Sequence, residues 1–251
     1  MARILMPLPA EGYDPSETAI PWQLLSERGH GIRFATPDGR PAQVDPRMLD
    51  GRDLGLWAPL LRAAAPAVEA HMAMTATAEF QHPRRYAELQ ATDFDALLLP
   101  GGHAPGMKVY LESTELQALV AAQFAADKPV GAICHGVLLA ARSLRVDGRS
   151  VLHGRRTTGL TRQLEMTAWL MTAAWLGRYY RTYPTPLQTE VATALAHPGD
   201  FDVGPPALLR DTAQRPGRGF ALRDGHYVSA RWPGDAHAFA LAFAQMLDEN
   251  D

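Results

Sequence analysis

Apolar residues fall along this chain in short runs, separated by longer stretches in which they recur on one side of a helical period. That alternation is expected of parallel strands joined by crossover helices. Arg3–Pro7 is the first such run, with Ile4, Leu5 and Met6 ahead of a proline. A loop follows, then Ser16 as a helix cap, a helix over 17–28 and Gly29 as its stop. Gly31–Thr36 is a second strand, closed by Pro37-Asp38-Gly39. Strand, helix and strand in so short a span imply a parallel pair with a right-handed crossover.

Residues 38–92 are less regular. They are Pro-rich, with helical pieces predicted at Pro59–Ala70 and Arg84–Leu89, and no strong strand signal precedes Phe94. Ala96–Leu99 is then a buried strand, Glu115–Asp127 a helix with Leu116, Leu119, Val120 and Phe124 on one face, and Val130–Ile133 another strand. Helices are expected from Gly136, from Thr161 through Trp175, and from Pro186 to about Leu195. Arg178–Tyr183, Ala207–Asp211, Phe220–Arg223 and Tyr227–Ala230 read as strands, the last two joined at Asp224-Gly225, and Ala236–Leu247 as a final amphipathic helix.

Composition narrows the class. At 251 residues the chain is long enough for one large α/β domain with a substantial core. A net charge of −3 gives no basic footprint for nucleic acid. With no long apolar run and no signal-peptide pattern, neither a membrane partner nor export is expected. A single cysteine excludes an intramolecular disulfide and fits a reducing cytoplasm.

That cysteine, Cys134, sits where the strand Val130–Ile133 meets the helix beginning at Gly136. A residue at such a turn is held in a strained backbone conformation with its side chain presented, as in a nucleophile elbow. The small Ala132 and Gly136 let strand and helix approach. The helix start favours thiolate at Cys134, and the His135 N–H can donate to an oxyanion. Gly101-Gly102, after the strand Ala96–Leu99, can bring a second backbone donor close, with His103 next in line. A lone cysteine is more often a small buried hydrophobe, but two glycine turns at adjoining strand ends make the reactive reading the stronger one. Glu17 and Glu165 lie in first helical turns, where an acid also simply complements the dipole. His71 and His82 match no compact metal spacing, and Arg231 reads as an exposed arginine.

LLLPGGH followed by AICHG resembles the ThiJ/PfpI superfamily, whose fold is that of class I glutamine amidotransferases. The resemblance implies a three-layer α/β/α sandwich with a mostly parallel, flavodoxin-like sheet. The length of 38–92 is similar to that of the heat-shock chaperone and glyoxalase III branch, where an insertion here forms a cap within one domain spanning 1–251. It further implies that Glu17, in GYDPSETAIPWQLL, lies close to the sulfur and is protonated if buried. Glu165 falls where that branch carries the acid of a Cys-His-Asp/Glu triad, so Cys134, His135, Glu165 and Glu17 are the expected catalytic residues, and Gly101, Gly102 and His103 the expected oxyanion and substrate contacts. No metal or other cofactor is implied. The implied substrate is a small aldehyde, methylglyoxal, converted with water to lactate, and members are commonly homodimers.

Rival functions follow from the same residues. A glutamine amidotransferase needs His-x-Glu on a later strand, but His153, His197, His226 and His237 are followed two residues on by Arg155, Gly199, Val228 and Phe239. That reading fails. A peptidase or amidase could use the same set, and an open groove rather than a closed pocket would mark it. A deglycase-like stress protein or a redox-sensing holdase chaperone is the remaining alternative. The loop Ser229–Asp235 departs from the Thr-Gly-Gln-Asn-Pro-like loop that members often carry there.

Overall fold

The computed structural model describes residues 1–207 and 209–249. In chain order they form β1 (Arg3–Pro7), β2 (Glu11–Tyr13), α1 (Pro15–Glu27), β3 (Gly31–Thr36), β4 (Gln43–Val44), α2 (Pro46–Asp50), α3 (Ala58–Leu61), α4 (Ala65–Thr75), α5 (Ala78–Gln81), β5 (Arg84–Arg85) and β6 (Ala96–Leu99). Then come α6 (Lys108–Leu111), α7 (Thr114–Ala125), β7 (Val130–Ile133), α8 (Gly136–Arg142), α9 (Arg162–Leu176), α10 (Leu187–Ala194), β8 (Ala221–Asp224), β9 (Tyr227–Ala230) and α11 (Ala236–Asp248).

Seven strands make one sheet in the order β5-β3-β1-β6-β7-β9-β8. Every pairing is parallel except β8 with β9. Leaving aside two-residue β5, the parallel strands follow the flavodoxin-like order. β1, β6 and β7 are buried on both faces, which is why they read as continuous apolar runs rather than alternating ones. α1, α4 and α11 pack together on one face, and α7, α8 and α10 on the other. The three-layer expectation is borne out.

Residues 38–92 divide in two. α4 and α5 pack into the main core through Ala67, Ala70, Met74 and Phe80. The stretch from α2 to α3 instead joins a second, smaller apolar cluster, in which Met48 and Leu54 meet Tyr180, with Leu61, Leu176 and Tyr179 against them. That cluster ties this stretch to the end of α9.

Several local expectations are corrected. Asp14, not Ser16, caps α1: its Oδ1 accepts from the N–H of Ser16 and of Glu17, and Pro15 takes the first helical position, where its missing N–H costs nothing. Pro59–Ala70 is two helices, broken near Arg62, where the backbone is extended. Arg84–Leu89 is a two-residue strand and a single 3-10 turn. Arg178–Tyr183 is a set of turns, because Tyr179 and Tyr180 point their hydroxyls at the Asp45 carboxylate (3.5 and 3.3 Å) instead of pairing in the sheet. Within the expected strand Ala207–Asp211, Leu208 lies outside the described residues and the others are not extended in a sheet. No helix of the described residues is long and apolar enough to cross a membrane.

Candidate active site around Cys134

Three loops at the carboxyl ends of neighbouring central strands meet at one point. The β1–α1 loop brings Asp14 and Glu17, the loop after β6 brings Gly101 to His103, and the turn after β7 brings Cys134 and His135. The chain leaves β1 toward β3 on one side and returns to β6 on the other, so this is the switch point where open α/β sheets bind ligands.

Cys134 is the elbow the sequence implies. Its φ is +55°, a left-handed value that costs a non-glycine residue about 1–3 kcal/mol. The surroundings hold it there: Cys134 N–H extends the β7–β9 ladder to the Ala230 carbonyl (3.0 Å), while its own carbonyl accepts from Val137 N–H (3.2 Å) as α8 begins. Gly136 makes this possible. A Cβ there would lie 2.8 Å from the Leu99 carbonyl carbon and 2.9 Å from the Pro100 oxygen, so only glycine lets α8 start against the end of β6.

His135 stands beside the sulfur, with Nδ1 3.7 Å from Sγ and its backbone N–H acting on the thiol. Both side chains are buried. Burial drives the His135 pKa well below the ordinary imidazole value, and the nearby His103 and Arg142 add to that shift, so His135 is a neutral base at physiological pH. Arg142 is itself fixed by the Glu190 carboxylate (2.7 Å) and the Tyr183 hydroxyl (2.8 Å).

Glu17 is fully buried in the first turn of α1, and among the described residues neither carboxyl oxygen completes a hydrogen bond. Burial raises its pKa well above the carboxylate range, and the negative charge of Asp14 raises it further. The Cys134 thiol, the Gly101 N–H and the Arg210 cation pull weakly the other way. Glu17 is therefore a protonated acid beside the sulfur, as the resemblance implies for a buried carboxyl here. The thiolate expectation, by contrast, is not met at rest. Burial pushes the Cys134 thiol up, the charge of Glu17 adds to this, and the His135 N–H offsets only part of it. Two buried acids in contact hold at most one negative charge between them.

Gly101 faces this group, for a Cβ on it would lie 2.7 Å from Glu17 Oε2, 2.7 Å from the His135 nitrogen and 2.9 Å from Cys134 Cβ. Gly102 is instead a packing glycine, its missing Cβ pressed toward the Gly12 carbonyl (2.6 Å). His103 sets its ring edge-on to that of His135 (5.0 Å between centroids) and to that of Tyr180 (6.0 Å); its Nε2 is buried and without a hydrogen-bond partner among the described residues. Burial pushes its pKa down to about 4.

Glu165 is not brought to this group. Its Oε2 accepts from Leu187 N–H (2.8 Å), the first amide of α10, and it makes no hydrogen bond to His135 among the described residues. It caps a helix that has no side-chain cap of its own at Pro186. Cys134 and His135 of the expected triad thus stand together with Glu17 on the sulfur, Glu165 makes its hydrogen bond to Leu187, and His103 packs against the His135 ring. Arg231, expected to be exposed, is buried: it forms a two-pronged pair with Asp235 (2.8 and 3.0 Å) and donates to the Val203 and Pro205 carbonyls, so it organises a turn. His71 is likewise buried, with Nε2 2.8 Å from the Tyr13 hydroxyl, while His82 is exposed and ends α5.

A cavity of about 280 Å³ lies beside this group, lined by its neighbours Asp14 and His103 and, among others, by Met48, Leu60, Leu61, Leu164, Met171 and Trp232. Asp14 is pushed up to about 6, mainly by burial, against the amides of Glu17 and Ser16 and the charge of Arg210. Arg210, a lining residue that sequence reasoning missed, hangs from the Leu60 and Leu61 carbonyls (3.0 and 2.9 Å) with its charge toward Asp14 and Glu17. Nothing local marks Arg210, since it lies in irregular chain after Pro205-Pro206. Asp14 could have been found: Asp-Pro-Ser-Glu is a capping signature.

A family model described as ThiJ/PfpI family-like matches residues 8–194. An uncharacterized protein of Schizosaccharomyces pombe is 33% identical over 116 residues, a match covering 45% of this chain and 42% of that protein, so the chain spans under half of that relative's length. A deglycase of Pyrococcus abyssi is 27% identical over 164 residues, covering 64% of this chain and 68% of that protein. Among solved structures, glyoxalase III from Candida albicans superposes with a TM-score of 0.68 at 16% identity, covering 97% of this chain and 96% of that one, a likeness of fold.

Proposed function

Because this chain belongs to the ThiJ/PfpI-like family, we propose that it is a cofactor-independent cysteine enzyme acting on small carbonyl compounds, with the glyoxalase III-type conversion of methylglyoxal and water to lactate as its reaction. The observation that carries this reading is the buried set of Cys134, neutral His135 and protonated Glu17, whose neighbours His103 and Asp14 line a small, mostly apolar cavity. The residues from α2 to α3, with α9 and Tyr180, act as the cap over it.

The course follows from where protons can go. The Cys134 sulfur adds to the aldehyde carbon, its proton passes to His135, and the carbonyl electrons settle on oxygen. The His135 N–H, which acts on the sulfur, and the Gly101 N–H, which acts on Glu17, are the backbone donors at hand to hold that oxygen. The hemithioacetal carbon then gives up its proton to a base of the site and the neighbouring carbon gains one, through an enediol, leaving a thioester on Cys134. Glu17, already protonated and beside the sulfur, supplies the acid end of that exchange. Water releases lactate and restores the thiol. One carbon is oxidised and its neighbour reduced, so no external oxidant enters.

Resting thiol and neutral imidazole suit this course, because attack and deprotonation occur together instead of from a standing thiolate. The small volume and mostly apolar lining of the cavity support a small carbonyl compound as substrate. Amide hydrolysis by the same pair is the second outcome to assay.

The two glutamates separate the roles. Glu17→Gln keeps a hydrogen-bond donor beside the sulfur but no transferable proton, and turnover is expected to fall by about 100-fold or more. Glu165→Gln keeps an acceptor for Leu187 N–H, so kcat/KM is expected to stay within about threefold of wild type, with a small loss of thermal stability. Steady-state lactate formation by the two variants side by side decides this. A collapse in Glu165→Gln with Glu17→Gln active would restore the triad built on Glu165.

The charge state of His135 is open to a direct reading. Its folded pKa is lowered, so the ring stays neutral as pH falls through about 6.5 and protonates only well below it. Imidazole NMR signals, assigned through His135→Gln, are expected to show no titration between pH 8 and about 6. A midpoint at or above 6.5 would mean a charged partner the structure does not hold.

A further inference from the structure

His103, Cys134 and His135 each offer a ligand atom, and those atoms all lie within 4.8 Å of one another. We propose that they form an inhibitory binding site for a borderline-soft divalent cation of the zinc type, distinct from any requirement of the carbonyl chemistry. Zinc takes thiolate sulfur at about 2.3 Å and imidazole nitrogen at about 2.0–2.1 Å in a tetrahedron, which sets sulfur and nitrogen about 3.6 Å apart. Cys134 Sγ and His135 Nδ1 already stand 3.7 Å apart. His103 closes the triangle, and its ring is held by edge-on contacts to His135 and Tyr180.

A second feature points the same way. His103 Nε2 is buried without a hydrogen-bond partner among the described residues, an arrangement that costs stability unless something satisfies the ring. The ligand set also fits the ion's preferences. One thiolate and two neutral imidazoles suit zinc, and three protein ligands leave a fourth position for water. Asp14 and Glu17 lie near enough to shape the charge of the sulfur, so a cation here has carboxyl groups around it. On binding, the thiol S–H bond breaks, the sulfur–metal bond forms and the proton leaves to solvent. The bound ion occupies the lone pair that the nucleophile would use, and Cys134 is silenced until the ion leaves.

Cobalt(II) is the probe, since a thiolate–cobalt bond gives a charge-transfer band that zinc removes by displacement. Full-length wild-type protein is expected to bind one Co²⁺ with that band, and Zn²⁺ to bleach it. Cys134→Ser is expected to abolish the band, and His103→Ala to weaken binding about tenfold or more. His103→Asn provides the same reading in a form closer in shape, with folding checked by circular dichroism. Absence of a thiolate–cobalt band in wild type at millimolar Co²⁺ would overturn the site. So would a band of unchanged affinity in both His103 variants. Neither result depends on turnover, so the carbonyl reading stands or falls separately.

Discussion

On the proposed reading, Cys134→Ser is expected to abolish lactate formation, by at least about 10³-fold, while the protein remains folded. The hydroxyl fits the space of the thiol and keeps the left-handed backbone, so the loss is chemical. A serine hydroxyl is far less acidic than a thiol, and His135 is a weakened base because burial opposes its charging. The step in which sulfur gives up its proton as it attacks therefore has no equivalent for oxygen. The cost to folding stays near 1 kcal/mol, a shift of about 2–4 °C in Tm for a chain of this size. Turnover and a thermal melt on one preparation check both halves. Retained activity would move the nucleophile elsewhere.

Gly136→Ala has the largest structural effect. The added Cβ meets the Leu99 carbonyl and the Pro100 oxygen, both backbone, so no side chain can swing away to make room. Relief requires α8 to back off β6, which pulls His135 and the Cys134 turn out of register with Gly101. Overpacking of this kind costs about 3 kcal/mol or more. The variant is expected to express poorly or melt many degrees lower, and its folded fraction to have lost most activity through displaced Cys134. Normal Tm and turnover would show that the strand end has slack the packing does not suggest.

Gly136 also explains why this part of the site was readable from sequence. A strand, a residue that must take positive φ, and a glycine that must admit the next helix are neighbours in the chain, so their constraint is written locally. The same holds for Gly101, which ends an unbroken apolar run. The residues that were misread owe their positions to distant partners. Glu165 sits in a first helical turn, as expected, but its destination is an amide of α10 that no local pattern reveals. Arg231 was read as exposed, yet it folds back on Asp235 four residues on and fills a buried turn. The aromatic run Tyr179-Tyr180 has strand propensity, and Asp45, far upstream, overrides it.

Cys134 illustrates a competition of magnitudes. A helix start favours negative charge by about 0.3–1 kcal/mol at exposed positions. Complete burial beside a second acid outweighs that, and it became visible only once Glu17 and Cys134 were placed in contact. Sequence proximity put Cys134, His135 and Gly101 at one place but carried no information on their charge states. At Glu17 burial is the largest influence, and the charge of Asp14 acts in the same direction.

The most direct test of the proposed reaction is the wild-type protein with methylglyoxal in D₂O, without glutathione, followed by NMR. Lactate is expected to form in step with methylglyoxal loss, with deuterium at the carbon that gains a proton through the enediol. No lactate, or lactate formed at an equal rate by Cys134→Ser, would contradict it.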